Sequence, residues 1–595
     1  MSAQASTSLT PPKEQSRDDA RVIARLFGYI GGRRRQAKFW TAVALRALSV
    51  VALTAVPALT GAAVNAMRAK DSAALQTWVV AAVASVLAYL VLAAFAEFMM
   101  TRLATSATMN LQRDMFTTMQ RLSLGFFDRQ PVGQLLSRVT NDTESVATFN
   151  ENAVSQIMRG IFQVILIVVL MSITNWRLTL AALTVVPVLL LVGAAVTRAA
   201  GPAYTRLQEQ LGDLSGFQEE TISGHRVLIS TRRQDWAVHQ HDTQAGGVFT
   251  TASKATFTGL LQFPATMAMT TIQMVVVLVV GGLLASQGQA DIGEVIAFVG
   301  LAGLLAQPLS DLSNLATTTL SAIAAGRRVF EIVDDEPTVV DADTAVPLQF
   351  EGGKVEFRDV DFSYVPGRQI LRANTFTAQP GQKIGICGPT GAGKSTIINI
   401  LTRYYDVDAG EVLVDDQPLT TVTIASLRAN VGMVLQEAFL FSDTIMNNLR
   451  YARDGATDEE CIAAAHEANA HHFIEALPDG YDTMLVERGA NLSQGQRQML
   501  TIARAMVARP RILILDEATS NVDTRTEKLI QEGLRRLMAG TTSFVIAHRL
   551  STISDADSIL VVDQGRIVQQ GSHEELLDED GLYRDLWFSQ FKGQA

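Results

Sequence analysis

Long apolar runs fill the first half of the chain, and short apolar strands alternating with amphipathic stretches fill the second. Six runs stand out: about Phe39 to Val64, Leu75 to Phe98, Ala153 to Ile173, Leu178 to Thr197, Leu260 to Ala285 and Ile292 to Thr317. Each is near the ~20 residues a helix needs to cross a bilayer. Arg33, Arg34, Arg35 and Lys38 precede the first run, which places the N-terminus in the cytoplasm. Short loops around Lys70, Asn175 and Gln287 then fall outside, and two long polar stretches, Thr101 to Asn152 and Gly201 to Thr256, fall inside. Arg121, Arg129, Arg138, Arg226, Arg232 and Arg233 all lie in the inside stretches, as that topology requires. Six buried helices of a soluble protein are the alternative. Spans this long and this free of charge would be hard to keep soluble.

The inside stretches carry helical patterns of their own, such as MNLQRDMFTTMQRL and LQEQLGDLSGFQEETI. The membrane helices are therefore expected to continue past the bilayer and to end near Gly125 and Gly224 in short docking segments for a soluble domain. After Ala325-Gly326-Arg327-Arg328 the pattern changes, and from about Gly353 strands and helices alternate. The expected organisation is a disordered tail over 1–20, an all-α six-helix membrane domain over 21–325, a linker over 326–352 and an α/β nucleotide-binding domain over 353–595.

Charge and cysteine content narrow the reading. A formal net charge of −10 argues against nucleic acid as the partner. Two cysteines, Cys387 and Cys461, are too few for a disulfide framework or a zinc site. The polar opening of the chain lacks the apolar core of a cleavable signal peptide.

The most specific chemistry lies in IGICGPTGAGKST, Ile384 to Thr396. An apolar strand leads into Gly388-Pro389-Thr390-Gly391-Ala392-Gly393-Lys394-Ser395-Thr396, and a helix follows. This is the phosphate-binding loop pattern. The three glycines let successive N–H groups point inward at a polyphosphate, and the helix N-terminus adds its positive end. Lys394 would reach the β- and γ-phosphates, and the Ser395 hydroxyl would ligate Mg²⁺. An ordinary glycine-rich turn would not need the strand and helix on either side. A second apolar strand, RILILDEATS, ends in Asp516-Glu517. Carboxylates at a strand tip suit a Mg²⁺-dependent ATPase, with Asp516 holding the metal through water and Glu517 polarising the attacking water.

Between the two strands lies NLSQGQRQMLTIARA. With it the chain resembles an ATP-binding cassette (ABC) exporter half-transporter. Leu492-Ser493-Gln494-Gly495-Gln496 is similar to the family signature, usually L-S-G-G-Q. The resemblance implies that Tyr364 stacks on adenine and that Gln436 contacts Mg²⁺ and couples to the membrane helices. It implies that Asp523 speaks across a dimer and that His548 contacts the γ-phosphate. VERG (Val486 to Gly489) stands where exporters carry a coupling loop, and FFDRQPVGQLLSRVTND resembles their first intracellular loop. The mechanism implied is shared-site chemistry: one cassette's phosphate loop faces the partner's signature, ATP closes the pair, and hydrolysis resets it.

The chain then reads as an ATP-hydrolysing exporter of drugs, lipids or other amphipathic substrates, in a bacterial-type inner membrane with its cassette cytoplasmic. An ATP-gated regulatory module is the rival from another class, and intact Glu517 and His548 argue against it. The Gln494 and SNVD departures resemble the catalytically complete subunit of bacterial heterodimeric multidrug exporters, so a second half-transporter is the expected partner. A homodimer exporting a lipid, peptide or siderophore is the alternative. Within the spans Arg46, Glu97 and Asp311 are costly ions and so candidate cargo contacts. Asp291 and Glu294 are weaker candidates for an outside gate, and Met267, Met269 and Met274 suit ordinary packing better than an adaptable cavity.

Overall fold

In the computed structural model of the chain, residues 12–30, 36–516, 523–547 and 549–592 are described. They fall into two compact units. One comprises Met1–Gln120 and Val132–Asp335, the other Arg121–Pro131 and Glu336–Ala595.

The first unit is helical. Among the described residues, five helices are long and apolar enough to cross a membrane: Gln36–Arg68, Ser72–Arg121, Val132–Thr174, Trp176–Ser223 and Gln234–Ser286. The sixth expected span opens the helix Ile292–Val333. Asn175 alone separates the third helix from the fourth, its side chain accepting from the amides of Arg177 and Leu178. Helices run past the apolar spans as the polar periodicity requires. Ser72–Arg121 leads into a short helix, Leu124–Arg129, and Val185–Ser223 leads through Gly224 into His225–Thr231.

Two boundaries differ from the sequence expectation. The expected disordered stretch 1–20 is helical from Pro12, in a helix that reaches Ile30. Leu26 and Ile30 are buried, and ion pairs Arg327–Asp19 (2.6 Å) and Arg25–Asp334 (2.5 Å) tie this helix to the last one. Apolar positions four apart, bounded by charges, make it amphipathic rather than unstructured. The last helix also continues to Val333, through the start of the expected linker.

The second unit holds two sheets. Strands β1 (Val355–Val365), β2 (Arg368–Ala378), β4 (Ala409–Val414) and β5 (Gln417–Pro418) form an antiparallel sheet in the order β2-β1-β4-β5. The larger sheet contains β3 (Lys383–Cys387), β6 (Val431–Val434), β7 (Ile512–Asp516), β8 (Thr542–Ile546), β9 (Ser558–Asp563) and β10 (Arg566–Gly571). Its order is β10-β9-β3-β8-β7-β6, parallel from β9 to β6. Apolar residues on both faces of its strands sort into two cores. Ile384, Ile386, Ile512, Ile514 and Phe544 enter one; Cys387, Leu513, Leu515 and Val545 enter the other. A sheet covered on both faces leaves its strand ends as the place for chemistry.

Candidate functional site

At the end of β3 the chain turns sharply. Gly388 has φ 145°, and a Cβ there would fall 2.0 Å from the Val562 carbonyl oxygen, so this position accepts only glycine. Pro389, Thr390 and Gly391 are exposed, whereas Ala392 and Gly393 are buried. The Ala392 carbonyl accepts from the Gly565 amide at 3.0 Å, which anchors the loop to the β9–β10 turn. Lys394 opens the helix Lys394–Leu401 and is itself buried. Its ammonium lies within the curl, donating to the carbonyls of Gly388 (2.8 Å) and Pro389 (2.9 Å). Ser395 is exposed beside it, and Thr396 is buried. The Cys387 thiol, sunk in the core behind the loop, is pushed up to about 12 by burial.

Strand β8 separates β3 from β7. Ile546 is level with Ile386 on one side and with Asp516 on the other. The phosphate loop and the Asp516 carboxylate therefore share one sheet edge. Glu517 and His548 follow the tips of β7 and β8 in the chain and lie outside the described residues. Asp523 caps the helix Thr524–Met538, accepting from the Thr526 amide at 3.0 Å, and that hydrogen bond holds its carboxyl below the usual range.

The signature forms a helix start. Ser493 caps Gln494–Ala508 in a reciprocal box, its hydroxyl accepting from the Gln496 amide while Gln496 accepts from the Ser493 amide at 2.8 Å. Leu492 and Gly495 are buried, and Ser493 and Gln494 are exposed. Arg497 holds the turn from below, donating to the carbonyls of Leu492 (2.9 Å) and Gly489 (3.2 Å). Gln436, Glu487, Arg488, Gln494 and Arg497 line one groove of about 590 Å³. The glutamine after β6, the VERG segment and the variant signature position thus meet on one surface.

Tyr364 stands on β1 with part of its ring exposed. Its hydroxyl donates to Thr396 Oγ1 (3.3 Å) and accepts from Asn399 Nδ2 (3.0 Å), fixing the ring beside the phosphate-loop helix. Tyr405 packs edge-on against it at 5.0 Å and donates to Asp128 in the short helix Leu124–Arg129. Burial first, then that carboxylate, raises the Tyr405 pKa. A Cβ on Gly125 would lie 2.9 Å from the Tyr405 ring. Sequence reasoning passed over Tyr405; the tandem Tyr404-Tyr405 after the phosphate-loop helix was the available signal.

In the first unit Arg46 is buried and paired with Glu97, and it donates to Ser155 Oγ at 2.8 Å. Asp311 accepts from Arg159 (2.7 Å) and Gln307 (2.8 Å). The sequence reading named neither Ser155 nor Arg159. Asp291 and Glu294 form the capping box of Ile292–Val333, which accounts for both without a gate.

A helical membrane unit, joined to a two-sheet cassette that carries a phosphate loop and a signature helix, defines an ABC transporter of the exporter type. Known proteins agree. Residues 39–309 match the ABC transporter transmembrane region and 371–520 the ABC transporter domain. An uncharacterized ABC transporter ATP-binding protein, YfiC of Bacillus subtilis (strain 168), is 41% identical over 84% of this chain and 82% of its own length. The fatty acid ABC transporter ATP-binding/permease protein of Mycobacterium bovis (strain ATCC BAA-935 / AF2122/97) is 39% identical over 83% of this chain and 78% of its own. A bacterial Atm1-family ABC exporter solved with ATP bound superposes with a TM-score of 0.77 at 30% identity, covering 93% of this chain and 98% of that one. The chain belongs to the ABC exporter half-transporters, membrane proteins that act as dimers and hydrolyse ATP.

Proposed function

We propose that this chain exports a lipid-like amphiphile across the cytoplasmic membrane as the catalytically complete half of a heterodimer. The observation that carries the heterodimer is Gln494. It is an exposed side chain at the first position of the signature helix, on the surface that faces a partner's nucleotide in this family. A side chain where the family has glycine holds the partner's phosphates further away, which suits a weaker site across the dimer. The cargo class draws support from the fatty acid named for the mycobacterial relative. Arg46 and Asp311 hold helices together in the membrane unit, and the half-exposed Glu97 is assigned the cargo contact.

In this reading Lys394 and the loop amides hold the β- and γ-phosphates, and Tyr364 carries the adenine. Ser493 and its helix N-terminus complete the partner's nucleotide site. Ser395, Asp516 and Gln436 supply hydroxyl, carboxylate and amide oxygens, a hard donor set that fits Mg²⁺. When bound, that ion neutralises phosphate charge. Glu517 orients and activates the attacking water, and His548 donates to the γ-phosphate. Membrane lipid and a small amphiphile are the other partners. Purifying the chain alone, and together with a candidate second half-transporter, tests the proposal. A stable homodimer that transports and hydrolyses ATP equally at both sites overturns the heterodimer.

A further inference from the structure

The last membrane helix, Ile292–Val333, carries Pro308 in its interior, and Pro308 is buried. A proline has no N–H for the carbonyl four residues earlier, and its ring presses on that carbonyl. Here the carbonyl belongs to Leu304, and it accepts from the side chain of another helix, Gln163 Nε2, at 3.1 Å. Gln163 stands on Val154–Thr174 and is itself buried. One turn earlier on the same face, Arg159 donates to Asp311 at 2.7 Å. Two side chains of one helix thus grip the other on either side of its proline.

The two helices stay together away from that point. On the Ile292 side Phe298, Leu301 and Leu305 share a core with Ile167 and Met171. On the Val333 side Arg328 donates to Asp142 at 2.8 Å, and Arg138 pairs with Glu331 at 3.4 Å. Between these zones the neighbouring helix has an irregularity of its own, the π-helical turn Phe149–Ala153. Kinks gather at prolines and at π-turns. The pair is therefore two arms meeting at a joint, and one arm ends two residues before the cassette's unit begins at Glu336.

We infer that Gln163 is a positioning residue: it holds the bend of the last membrane helix at Pro308, and ATP binding by the cassette changes that bend. A polar side chain within a membrane unit is costly unless it answers a backbone group that lipid cannot. Gln163 answers the carbonyl that the proline leaves unserved. Asp311 also accepts from Gln307 on its own helix at 2.8 Å, so its ion pair is doubly fixed. The single amide–carbonyl bond from Gln163 is the weaker grip and the one that opens as the joint moves.

The test is electron–electron double resonance on the full transporter in nanodiscs, with one labelled chain per dimer. Labels at Ile292→Cys and Leu320→Cys, both exposed positions, stand about 42 Å apart on a straight helix. Cys387 and Cys461 are buried and do not compete for label. The chain with Gln163 and Pro308 intact should show two distance populations, whose ratio changes when a non-hydrolysable ATP analogue and Mg²⁺ are added. Pro308→Ala supplies the missing amide to Leu304 and should give one population in both conditions. Gln163→Leu should shift the ratio about tenfold toward the longer distance, the weight of one buried polar group left unpaired, with ATP affinity within about twofold. Added to Pro308→Ala, the same change should shift nothing. Gln273→Leu removes another buried glutamine, which donates to the Ala182 carbonyl at 3.1 Å, and should leave the ratio as it was. Should Gln163→Leu fail to assemble, Pro308→Ala should restore it. One unchanging distance in the intact chain, an equal shift by Gln163→Leu with and without the proline, an equal shift by Gln273→Leu, or no rescue overturns the inference.

Discussion

In the cassette the working side chains are held by backbone, whereas in the membrane unit they are held by one another. Lys394 rests on the carbonyls of its own loop, and Ser493 and Gln496 close on each other's amides. Such groups are fixed by neighbours a few residues away, so a short motif carries the whole arrangement. Arg46, Glu97 and Ser155 come from helices far apart in sequence, as do Arg159 and Asp311. Their geometry exists only once the helices have packed. Damage to the first kind of site should therefore strike chemistry and leave the fold standing. Damage to the second should strike assembly first.

The sharpest way to break that contrast is Glu517→Gln. The amide keeps the size of the carboxylate but cannot activate water, so turnover should fall by about 10²–10⁴, while ATP binding and thermal stability stay at wild-type levels. ATPase assays free of contaminating enzyme, with parallel nucleotide titration, decide it; wild-type turnover would falsify the assignment. Next comes Lys394→Ala. Loss of a charge-assisted contact, worth about 1.5–3 kcal/mol, should weaken ATP binding roughly 10- to 100-fold. Unchanged affinity by fluorescent-nucleotide titration would show that the loop does not hold the phosphates as argued.

The same contrast explains what the sequence disclosed. The phosphate-loop pattern, the strand ending in Asp516 and the signature pattern were legible because each is a run of neighbouring residues. The membrane spans were legible because length and apolarity suffice to mark them. Arg46 and Glu97 could be flagged as costly ions, but their mutual pairing could not be read, since nothing in a sequence of one chain relates residues on different helices. Tyr405 was missed for that reason too: its role depends on Asp128, hundreds of positions earlier in the chain. The helix from Pro12 was missed because its polar composition resembles a tail, and its burial comes from contacts with the far end of the unit.

In the membrane unit, Glu97→Ala leaves the Arg46 guanidinium buried with Ser155 as its one side-chain partner among the described residues. Breaking a fully buried pair costs about 3–5 kcal/mol, and the half-exposed carboxylate reduces that here to about 1–2 kcal/mol. The melting temperature of the purified transporter should fall, and adding Arg46→Met should recover part of the loss. A double variant less stable than the single one would mean that Arg46 has partners beyond this pair. An effect on coupling rather than on nucleotide binding is expected at the docking segment. Tyr405→Phe removes one hydrogen bond to Asp128, and Gly125→Ala forces a Cβ against the same ring. Both should keep ATP affinity within a few-fold and lower cargo-stimulated ATPase, with Gly125→Ala the more severe, as overpacking costs about 1–3 kcal/mol. Stimulation equal to wild type in both would sever Tyr405 from coupling.

The smallest effect belongs to a residue that sits beside the chemistry without taking part in it. Cys387 ends β3, one position before the phosphate loop, yet its side chain points into the core and is 1% exposed. Burial disfavours the thiolate and carries the pKa from an ordinary 9.0 to about 12. The sign of the linkage follows. An acid whose folded pKa is raised is neutral in both states below pH 9, so its contribution to stability is full there. It is lost between about 9 and 12, where the unfolded chain ionises and the folded one resists. At pH 7.5 the buried thiol is essentially all protonated, and a thiolate-seeking reagent such as iodoacetamide should neither modify it nor change ATPase in the native protein. Cys387→Ser should keep turnover within about twofold, because a buried hydroxyl of similar shape costs stability rather than geometry. Rapid labelling at pH 7.5 with parallel loss of ATPase would place the thiol in the nucleotide site and erase the boundary between core and loop at this strand end.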